Sequence, residues 1–152
     1  MTEGVTNHYI ESILKPVCKN FLGVFSANTI PKKLTLLKEF SIVCNLSKVG
    51  EKGSHFVTIV VQPNVTLYID SLGLPPFVPE ICSFLQQLRR QLFYNPHQIQ
   101  DSSSKFCGFF CILFVLYFSS TATPLIFEEK DLLSNDTLCV KKIKEMLNKS
   151  VY

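Results

Sequence analysis

Four polar residues could together perform chemistry on a carbonyl group: His55, Asp70, Gln100 and Cys107. Each lies at the predicted boundary of a helix or strand, where a side chain can reach a cleft from a rigid scaffold. A thiol, an imidazole and a carboxylate are the groups of a nucleophile, its base and the residue that orients the base. These residue types predict nucleophilic catalysis by a cysteine.

His55 and Asp70 are expected to meet at one end of a hairpin. His55 opens a β-branched strand directly after Gly53 and Ser54, and Asp70 ends the next strand, just before Ser71. If the two strands are antiparallel, their outer ends come together. A carboxylate beside the imidazole would hold its tautomer and stabilise its charged form.

Cys107 begins a long apolar segment, so its sulfur is predicted to lie at the positive end of a helix. A thiol there, close to an imidazolium, is shifted towards thiolate, and such cysteines can have a pKa of about 3.5–7.5. Gly108 would let a substrate backbone approach closely. Gln100 could direct an amide N–H at a developing oxyanion, with the backbone N–H of Cys107 as second donor.

Each of these residues also has an ordinary structural explanation. A histidine at a strand start is more often a surface or core residue, and an aspartate before Ser-x-Gly commonly forms a turn. A cysteine in an apolar segment is usually a small buried hydrophobe. A glutamine alone indicates nothing, so only the joint arrangement favours a catalytic site.

The first half of the chain is predicted to contain one helix and three strands. Helical spacing of apolar residues predicts a helix that Pro16 ends near Lys15. Residues 21–31 are predicted to be an irregular connection. Strands are predicted at residues 39–46, 55–62 and 65–70, the last two paired through a short turn.

The second half is predicted to be mainly helical. We expect a helix over residues 80–92 and a short strand around 97–99. Residues 107–118 are apolar on every side, which is typical of a helix buried at the centre of a domain. A C-terminal helix is predicted to begin near Ser134. This order predicts an α+β fold, with a small, mainly antiparallel sheet packed on a central buried helix and flanking helices.

Composition agrees with a single domain over residues 1–152. Hydrophobic residues make up 47% of the chain and charged residues 18%, which excludes a disordered protein. We find no repeat, low-complexity tract or linker, and we expect a monomer. The net charge of +3 is too small to indicate a nucleic-acid-binding protein by itself.

The N-terminal sequence and the apolar segments predict the cellular compartment. The N-terminus carries Glu3 and no basic-then-apolar start, so we expect no signal peptide and an intracellular protein. Residues 106–118 are too short for a membrane span, which needs about 20 apolar residues.

Cys107, Cys111 and His97 do not make the four-ligand set of structural zinc, so no metal is expected. All six cysteines are expected to be free thiols: Cys18, Cys44, Cys82, Cys107, Cys111 and Cys139.

Several segments, in order along the chain, resemble the adenovirus endopeptidase (adenain) family. Residues 100–114 (QDSSSKFCGFFCILF) resemble its oxyanion-glutamine and nucleophile block, with the same Gln-to-Cys spacing. Residues 21–25 (FLGVF) resemble its Phe-Leu-Gly segment, and His55-Phe56 resembles its His-Trp pair. Residues 68–76 (YIDSLGLPP) resemble the version in adenain-like proteases of Polinton/Maverick elements and related DNA viruses.

The resemblance implies a cysteine endopeptidase with the fold of adenain and the ubiquitin-like-modifier proteases. It implies a narrow cleft beside Phe56 and Gly108 that suits small residues, especially Gly, before the cut. It also implies capsid and core precursor proteins as substrates, in the host nucleus or the virion. The implied catalytic residues are His55 as general base, Asp70 as its orienter, Gln100 as oxyanion donor and Cys107 as nucleophile.

The sequence departs from the family pattern in ways that bear on cofactors. Asp70 stands where adenain has Glu, and no cysteine lies between Arg90 and Gln100 to hold an activating viral peptide by a disulfide. No cofactor is expected to be required, with DNA or a peptide left as candidate activators. Basic residues could contact DNA weakly or be solvated: Lys32, Lys33, Arg89, Arg90, Lys141, Lys142 and Lys144.

Two other functions stay open at this point. Within the same group of proteases, the chain could remove ubiquitin-like modifiers from host proteins. In a different class, it could be a non-catalytic interaction or nucleic-acid-binding module on the same fold.

Overall fold

The secondary structure follows the apolar patterns closely over residues 40–69 and 107–118. A computed structural model describes residues 4–51, 55–120 and 125–149. A 3₁₀ helix spans Lys32–Leu36. The helices are α1 (Asn7–Leu14), α2 (Pro79–Gln87), α3 (Cys107–Phe118) and α4 (Ser134–Lys149). The strands are β1 (Phe21–Ser26), β2 (Phe40–Asn45), β3 (Phe56–Val61), β4 (Val65–Ile69) and β5 (Gln91–Tyr94).

The five strands form one mixed sheet in the order β1-β2-β3-β4-β5. The central strands β2, β3 and β4 are antiparallel, and β3 and β4 form the predicted hairpin. The edge strands β1 and β5 each run parallel to their neighbour. The antiparallel part of the sheet was predicted, whereas both parallel edges were not.

Strand β1 occupies part of the segment that was predicted to be an irregular connection. Its register with β2 shifts between Phe21 and Val24, where Gly23 has a φ of +138°. This irregularity interrupts the alternation of side chains that marks a strand in a sequence. Residues 21–26 nevertheless pair with β2, so that prediction was wrong.

The predicted helix over residues 80–92 is also corrected. Helix α2 ends at Gln87, and Arg89 has a φ of 53°, which turns the chain out of the helix. Residues 91–94 then form β5, and the strand predicted at residues 97–99 is a loop. Apolar residues at 92–94 suit either a helix or a strand, and pairing with β4 decides between them.

The sheet separates two hydrophobic cores. One face packs against α1, α3 and α4, with Val43, Val60 and Ile69 pointing into this core. The opposite face packs against α2 and the 3₁₀ helix, with Ile42 and Ile59 among its buried residues. Helix α3 is the central buried helix that the sequence predicted: eight of its twelve residues are buried.

In the flanking helices, the predicted end of α1 and the predicted start of α4 are confirmed. Thr6 caps α1 by accepting a hydrogen bond from the backbone N–H of Tyr9 (3.1 Å), and the helix ends before Pro16. Helix α4 begins at Ser134 and packs on α3. Within the described ranges, every helix is too short or too polar to cross a membrane.

Candidate active site

The hairpin places His55 directly beside Asp70. His55 immediately precedes β3 and Asp70 immediately follows β4, and the antiparallel register brings these two strand ends together. The Nε2 atom of His55 lies 2.7 Å from Oδ1 of Asp70, and the two side chains are only 12% and 0% exposed. The predicted contact is therefore present. Gly53 and Ser54, which precede His55, lie outside the described residues.

Asp70 is held rigidly by its neighbours. Its Oδ1 also accepts a hydrogen bond from the backbone N–H of Leu72 (2.8 Å). Asn95, at the end of β5, accepts from the backbone N–H of Asp70 (2.9 Å) and donates to its carbonyl (2.8 Å). Asn95 was not predicted as part of the site because β5 was not predicted; an Asn-Pro pair after an apolar run is the signal that could have revealed it.

Cys107 is the first residue of α3, and its half-buried thiol lies within hydrogen-bonding reach of the His55 imidazole. Because Nε2 of His55 is taken by Asp70, its other ring nitrogen, Nδ1, is the one left for the sulfur. The backbone N–H groups of Phe56 and Gly108 also donate to the sulfur. A sulfur with these donors is well suited to carry a negative charge.

The environment shifts the pKa values of both partners towards an ion pair. Burial raises the pKa of the Cys107 thiol, but the His55 hydrogen bond and charge and the backbone donors lower it more, to below its usual value. Burial lowers the pKa of His55, while the hydrogen bonds and charges of Asp70 and Cys107 outweigh it and raise the pKa to about 9. Both shifts are in the direction that favours a thiolate–imidazolium pair.

Gln100 is buried beside the same cleft, but its amide has partners of its own. Its Nε2 donates to the carbonyl of Ser104 (3.0 Å), and its Oε1 accepts from the hydroxyl of Ser71. One amide N–H is thus directed at Ser104 rather than at open space, a contact that the sequence did not predict. The Nε2 atom also approaches the hydroxyl of Ser104 (3.4 Å), and Gln100 lines the cleft that contains Cys107.

Three of the four predicted residues, His55, Gln100 and Cys107, border a common cleft. Asp70 lies behind His55. The cleft has a volume of about 620 Å³. Its lining consists of Gly4, Val5, Asn45, His55, Phe56, Leu72, Gln100, Ser102, Ser104, Lys105 and Cys107. Gly4 and Val5 line the cleft although they precede Gln100 and Cys107 by more than 90 residues. The sequence did not predict this contribution of the N-terminal segment.

Gly108 does allow a close approach, but the group that approaches is part of the same chain. A Cβ atom at residue 108 would lie 2.2 Å from Cγ2 of Val5 and 3.5 Å from a ring carbon of Phe56. Gly108 itself is buried. The structure thus corrects the expectation that its small size serves a substrate backbone, whereas Phe56 does line the cleft.

The remaining thiols differ from Cys107 in their surroundings. Cys18, Cys44, Cys111 and Cys139 are buried, and burial raises the pKa of each of these thiols. Cys82 is half-buried and is not part of the core. Among the described residues, no group of three or more His, Cys, Asp and Glu side chains is arranged to hold a metal ion.

Comparisons with known proteins identify the fold. No protein-family model matches the chain. No curated protein matches its sequence either. Among solved structures, it is similar to the SUMO protease Ulp1 with its catalytic cysteine oxidised to a sulfenic acid, with a TM-score of 0.54 and 16% sequence identity. The match covers 95% of this chain and 79% of that chain. The chain therefore has the α+β fold of a Ulp1-type cysteine protease, which confirms the predicted fold class.

Proposed function

We propose that this protein is a cysteine endopeptidase with Cys107 as nucleophile, His55 as general acid and base, and Asp70 as the residue that orients His55. One observation carries the proposal: a half-buried thiol at the start of a helix contacts an imidazole that is itself bound to a buried carboxylate. This is the geometry that an activated thiol nucleophile requires. The likeness to the fold of a SUMO protease supports the same class of reaction.

In the first half of the proposed reaction, the Cys107 thiolate attacks the carbonyl carbon of the scissile peptide bond. A carbon–sulfur bond forms, and the carbonyl oxygen takes the negative charge. The His55 imidazolium then gives its proton to the leaving nitrogen, and the carbon–nitrogen bond breaks. The amine product departs, and a thioester to Cys107 remains with a neutral imidazole.

In the second half, water hydrolyses the thioester. Neutral His55 accepts a proton from the water as its oxygen attacks the carbonyl carbon. The carbon–sulfur bond breaks, the sulfur leaves as thiolate, and His55 keeps the proton. The acid product departs, which restores the ion pair with which the cycle began.

The developing oxyanion is assigned to two donors beside the sulfur. These are the backbone N–H of Cys107, at the positive end of α3, and the amide N–H of Gln100 that does not donate to the Ser104 carbonyl. Loss of one such donor typically lowers kcat by about 10²–10³-fold. Gln100 therefore acts on the transition state rather than on the activation of the thiol.

We propose small residues, especially Gly, on the substrate side of the cut, because Phe56 and Val5 both crowd the cleft next to Cys107. The similarity of residues 100–114 to the adenain block supports viral capsid and core precursor proteins as the substrates. The protein would then act inside the host cell, in the nucleus or in the virion.

Removal of ubiquitin-like modifiers is the second candidate function. The observation that favours it is the similarity of the fold to a protease whose name identifies SUMO as its substrate. The two candidates share the same catalytic residues and differ only in the protein presented to the cleft. A binding module without catalysis is the third outcome that the experiment must separate.

The test compares three substrates: a fluorogenic peptide with Gly-Gly before the leaving group, a ubiquitin-like conjugate, and a capsid precursor containing Gly-Gly. Cleavage of the precursor alone favours viral maturation, and cleavage of the conjugate favours modifier removal. We expect Cys107→Ser and His55→Ala to abolish cleavage. Cys82→Ser, at another half-buried thiol, should retain it. No cleavage by the unchanged protein would leave only the binding module.

No cofactor is required in this proposal, and DNA remains a candidate activator. Arg90 contributes little to such a surface, because its guanidinium donates to the backbone carbonyls of Pro63 and Leu37. The lysines lie on two faces: Lys32 and Lys33 belong to the 3₁₀ helix, and Lys141, Lys142 and Lys144 belong to α4 on the other side of the sheet. Repeating the peptide assay with double-stranded DNA at low and high salt tests the activation.

A further inference from the structure

The side-chain amide of Gln100 is held on both sides by serines. Its Oε1 accepts from the hydroxyl of Ser71, and its Nε2 donates to the backbone carbonyl of Ser104 at 3.0 Å and approaches the Ser104 hydroxyl at 3.4 Å. Ser71 and Gln100 are each only 2% exposed. The two ends of the amide thus have different partners in a region closed to solvent.

The chemistry of these partners permits one orientation of the amide. The carbonyl of Ser104 can only accept a hydrogen bond, so the amide nitrogen must face it. The hydroxyl of Ser71 can donate, so it satisfies the amide oxygen on the opposite side. A rotation by half a turn would place two carbonyl oxygens against each other in a buried site, which is unfavourable.

Both serines are themselves fixed by the surrounding elements. The backbone carbonyl of Ser71, just after Asp70, accepts from the N–H groups of Ile99 (2.9 Å) and Gln100 (3.0 Å). The hydroxyl of Ser104 donates to Oδ2 of Asp136 on α4 (2.8 Å). The same hydroxyl accepts from the backbone N–H of Phe106 (3.1 Å), one residue before Cys107.

We propose that Ser71 is a positioning residue that fixes the orientation of the Gln100 amide, with Ser104 and Asp136 supporting it from the other side. Ser71 follows Asp70 directly, so one turn of the chain orients His55 through its carboxylate and Gln100 through its hydroxyl. The effect of this positioning on catalysis rests on the proposed function. The orientation of the amide can be measured without catalysis.

The physical consequence concerns the second N–H of Gln100. With the oxygen held by Ser71, both N–H groups lie on the opposite side of the amide; one donates to the carbonyl of Ser104, and Gln100 also lines the cleft that contains Cys107. Without the Ser71 hydroxyl, the amide loses its only oxygen-side partner among the described hydrogen bonds. It would then be held from one side only, by Ser104, so the amide would move more widely and the oxyanion donor would be in place only part of the time.

The direct test measures the order parameter of the Gln100 side-chain amide by ¹⁵N relaxation in the whole protein. In the unchanged protein we expect a value near that of rigid backbone, about 0.85, and in Ser71→Ala a value below about 0.6. Ser71→Thr keeps the hydroxyl and should restore rigidity. Ser103→Ala is the matched control, because its hydroxyl bonds only to Asp101 among the hydrogen bonds observed.

The kinetic test uses the Gly-Gly fluorogenic peptide together with iodoacetamide. Ser71→Ala should lower kcat by about tenfold or more with little change in KM, because an oxyanion donor acts on the transition state. The double variant Ser71→Ala/Gln100→Ala should be no slower than Gln100→Ala alone. Alkylation of Cys107 by iodoacetamide forms no oxyanion, so its rate should stay unchanged in all three variants.

The outcomes separate this inference from the proposed function. An unchanged order parameter in Ser71→Ala overturns the inference whatever the activity. Additive losses in the double variant likewise overturn it, because they indicate a general structural role. If the order parameter falls but the unchanged protein cleaves no substrate, the positioning holds and the proposed function fails. Should Ser71→Ala not fold, Ser71→Cys, a weak donor of similar size, replaces it with the same expectations.

Discussion

At the scale of single residues, the thiol of Cys107 is subject to two opposed effects. Burial disfavours its charged form, as it does for the four buried cysteines, whose pKa values are raised. Only Cys107 has an imidazole and two backbone N–H groups directed at its sulfur. The set of donors around the sulfur therefore distinguishes Cys107 from the four buried cysteines, in addition to its shallower burial.

The pH dependence of Cys107 alkylation tests this balance. Because the pKa of Cys107 lies below its usual value, iodoacetamide should react rapidly at pH values where an ordinary thiol is protonated. In His55→Ala, burial acts without the imidazolium, so the rate should rise only at higher pH. A Cys82→Ser background removes the other half-buried thiol. Identical profiles with and without His55 would contradict the ion pair.

The pKa of His55 predicts how peptide cleavage and stability change at alkaline pH. A pKa of about 9 means that the imidazolium persists at neutral pH and is lost as the pH rises through about 9, so peptide cleavage should fall there. The stability that this charge contributes is fully present below the unfolded pKa of about 6.5 and is lost as the pH rises through about 9. Thermal unfolding from pH 6 to 10, compared with His55→Ala, measures it.

At the scale of elements, the turn after β4 connects the two halves of the site. Gly73 has a φ of +76°, and its N–H donates to the carbonyl of Asp70 (2.8 Å). A Cβ atom there would lie 2.7 Å from the backbone nitrogen of Gln98 and 2.8 Å from the carbonyl carbon of His97. The absence of a side chain lets the loop that leads to Gln100 lie against the turn that contains Asp70.

Gly50 provides a matched control for this contact. It also has a positive φ, +88°, but a Cβ atom there would meet nothing within 4 Å. Gly50→Ala should therefore cost only backbone strain, about 1 kcal/mol, whereas Gly73→Ala should cost about 1–3 kcal/mol more through overpacking and should also reduce cleavage. Urea unfolding of both variants gives the two free energies. Equal losses would show that the close approach at Gly73 has no energetic role.

At the scale of the whole molecule, the N-terminal segment is part of the cleft. Val5 packs against Gly108 at the start of α3, and α1, which follows Val5 directly, packs on the same helix through Ile10 and Leu14. Residues separated by about a hundred positions thus form one wall beside Cys107. The width of the cleft is therefore a property of the tertiary structure.

A pair of substitutions tests this wall. Gly108→Ala should destabilise the protein by about 1–3 kcal/mol, because its Cβ would lie 2.2 Å from Cγ2 of Val5. Val5→Ala removes that atom, so the double variant should be more stable than the sum of the two single effects predicts. Chemical unfolding of the four proteins measures the coupling. Strict additivity would mean that Val5 and Gly108 do not contact each other in solution.

Much of the site could be predicted because its parts carry local signals. Two β-branched runs joined by a short turn predict a hairpin, and a hairpin brings its outer ends together, so His55 and Asp70 had to be neighbours. A segment that is apolar on every side predicts a buried helix, and that places Cys107 at a helix start. These inferences need only the periodicity and turn chemistry of adjacent residues.

The amino-acid sequence by itself thus determined the central hairpin, the buried helix and the meeting of His55 with Asp70. The tertiary structure alone decided the parallel edge strands, the packing of Val5 on Gly108, and the orientation of Gln100 between Ser71 and Ser104. The physical reason is that edge pairing, close packing and amide orientation each depend on partners distant along the chain or on contacts with no periodic pattern. Local patterns identify such residues but do not reveal what they touch.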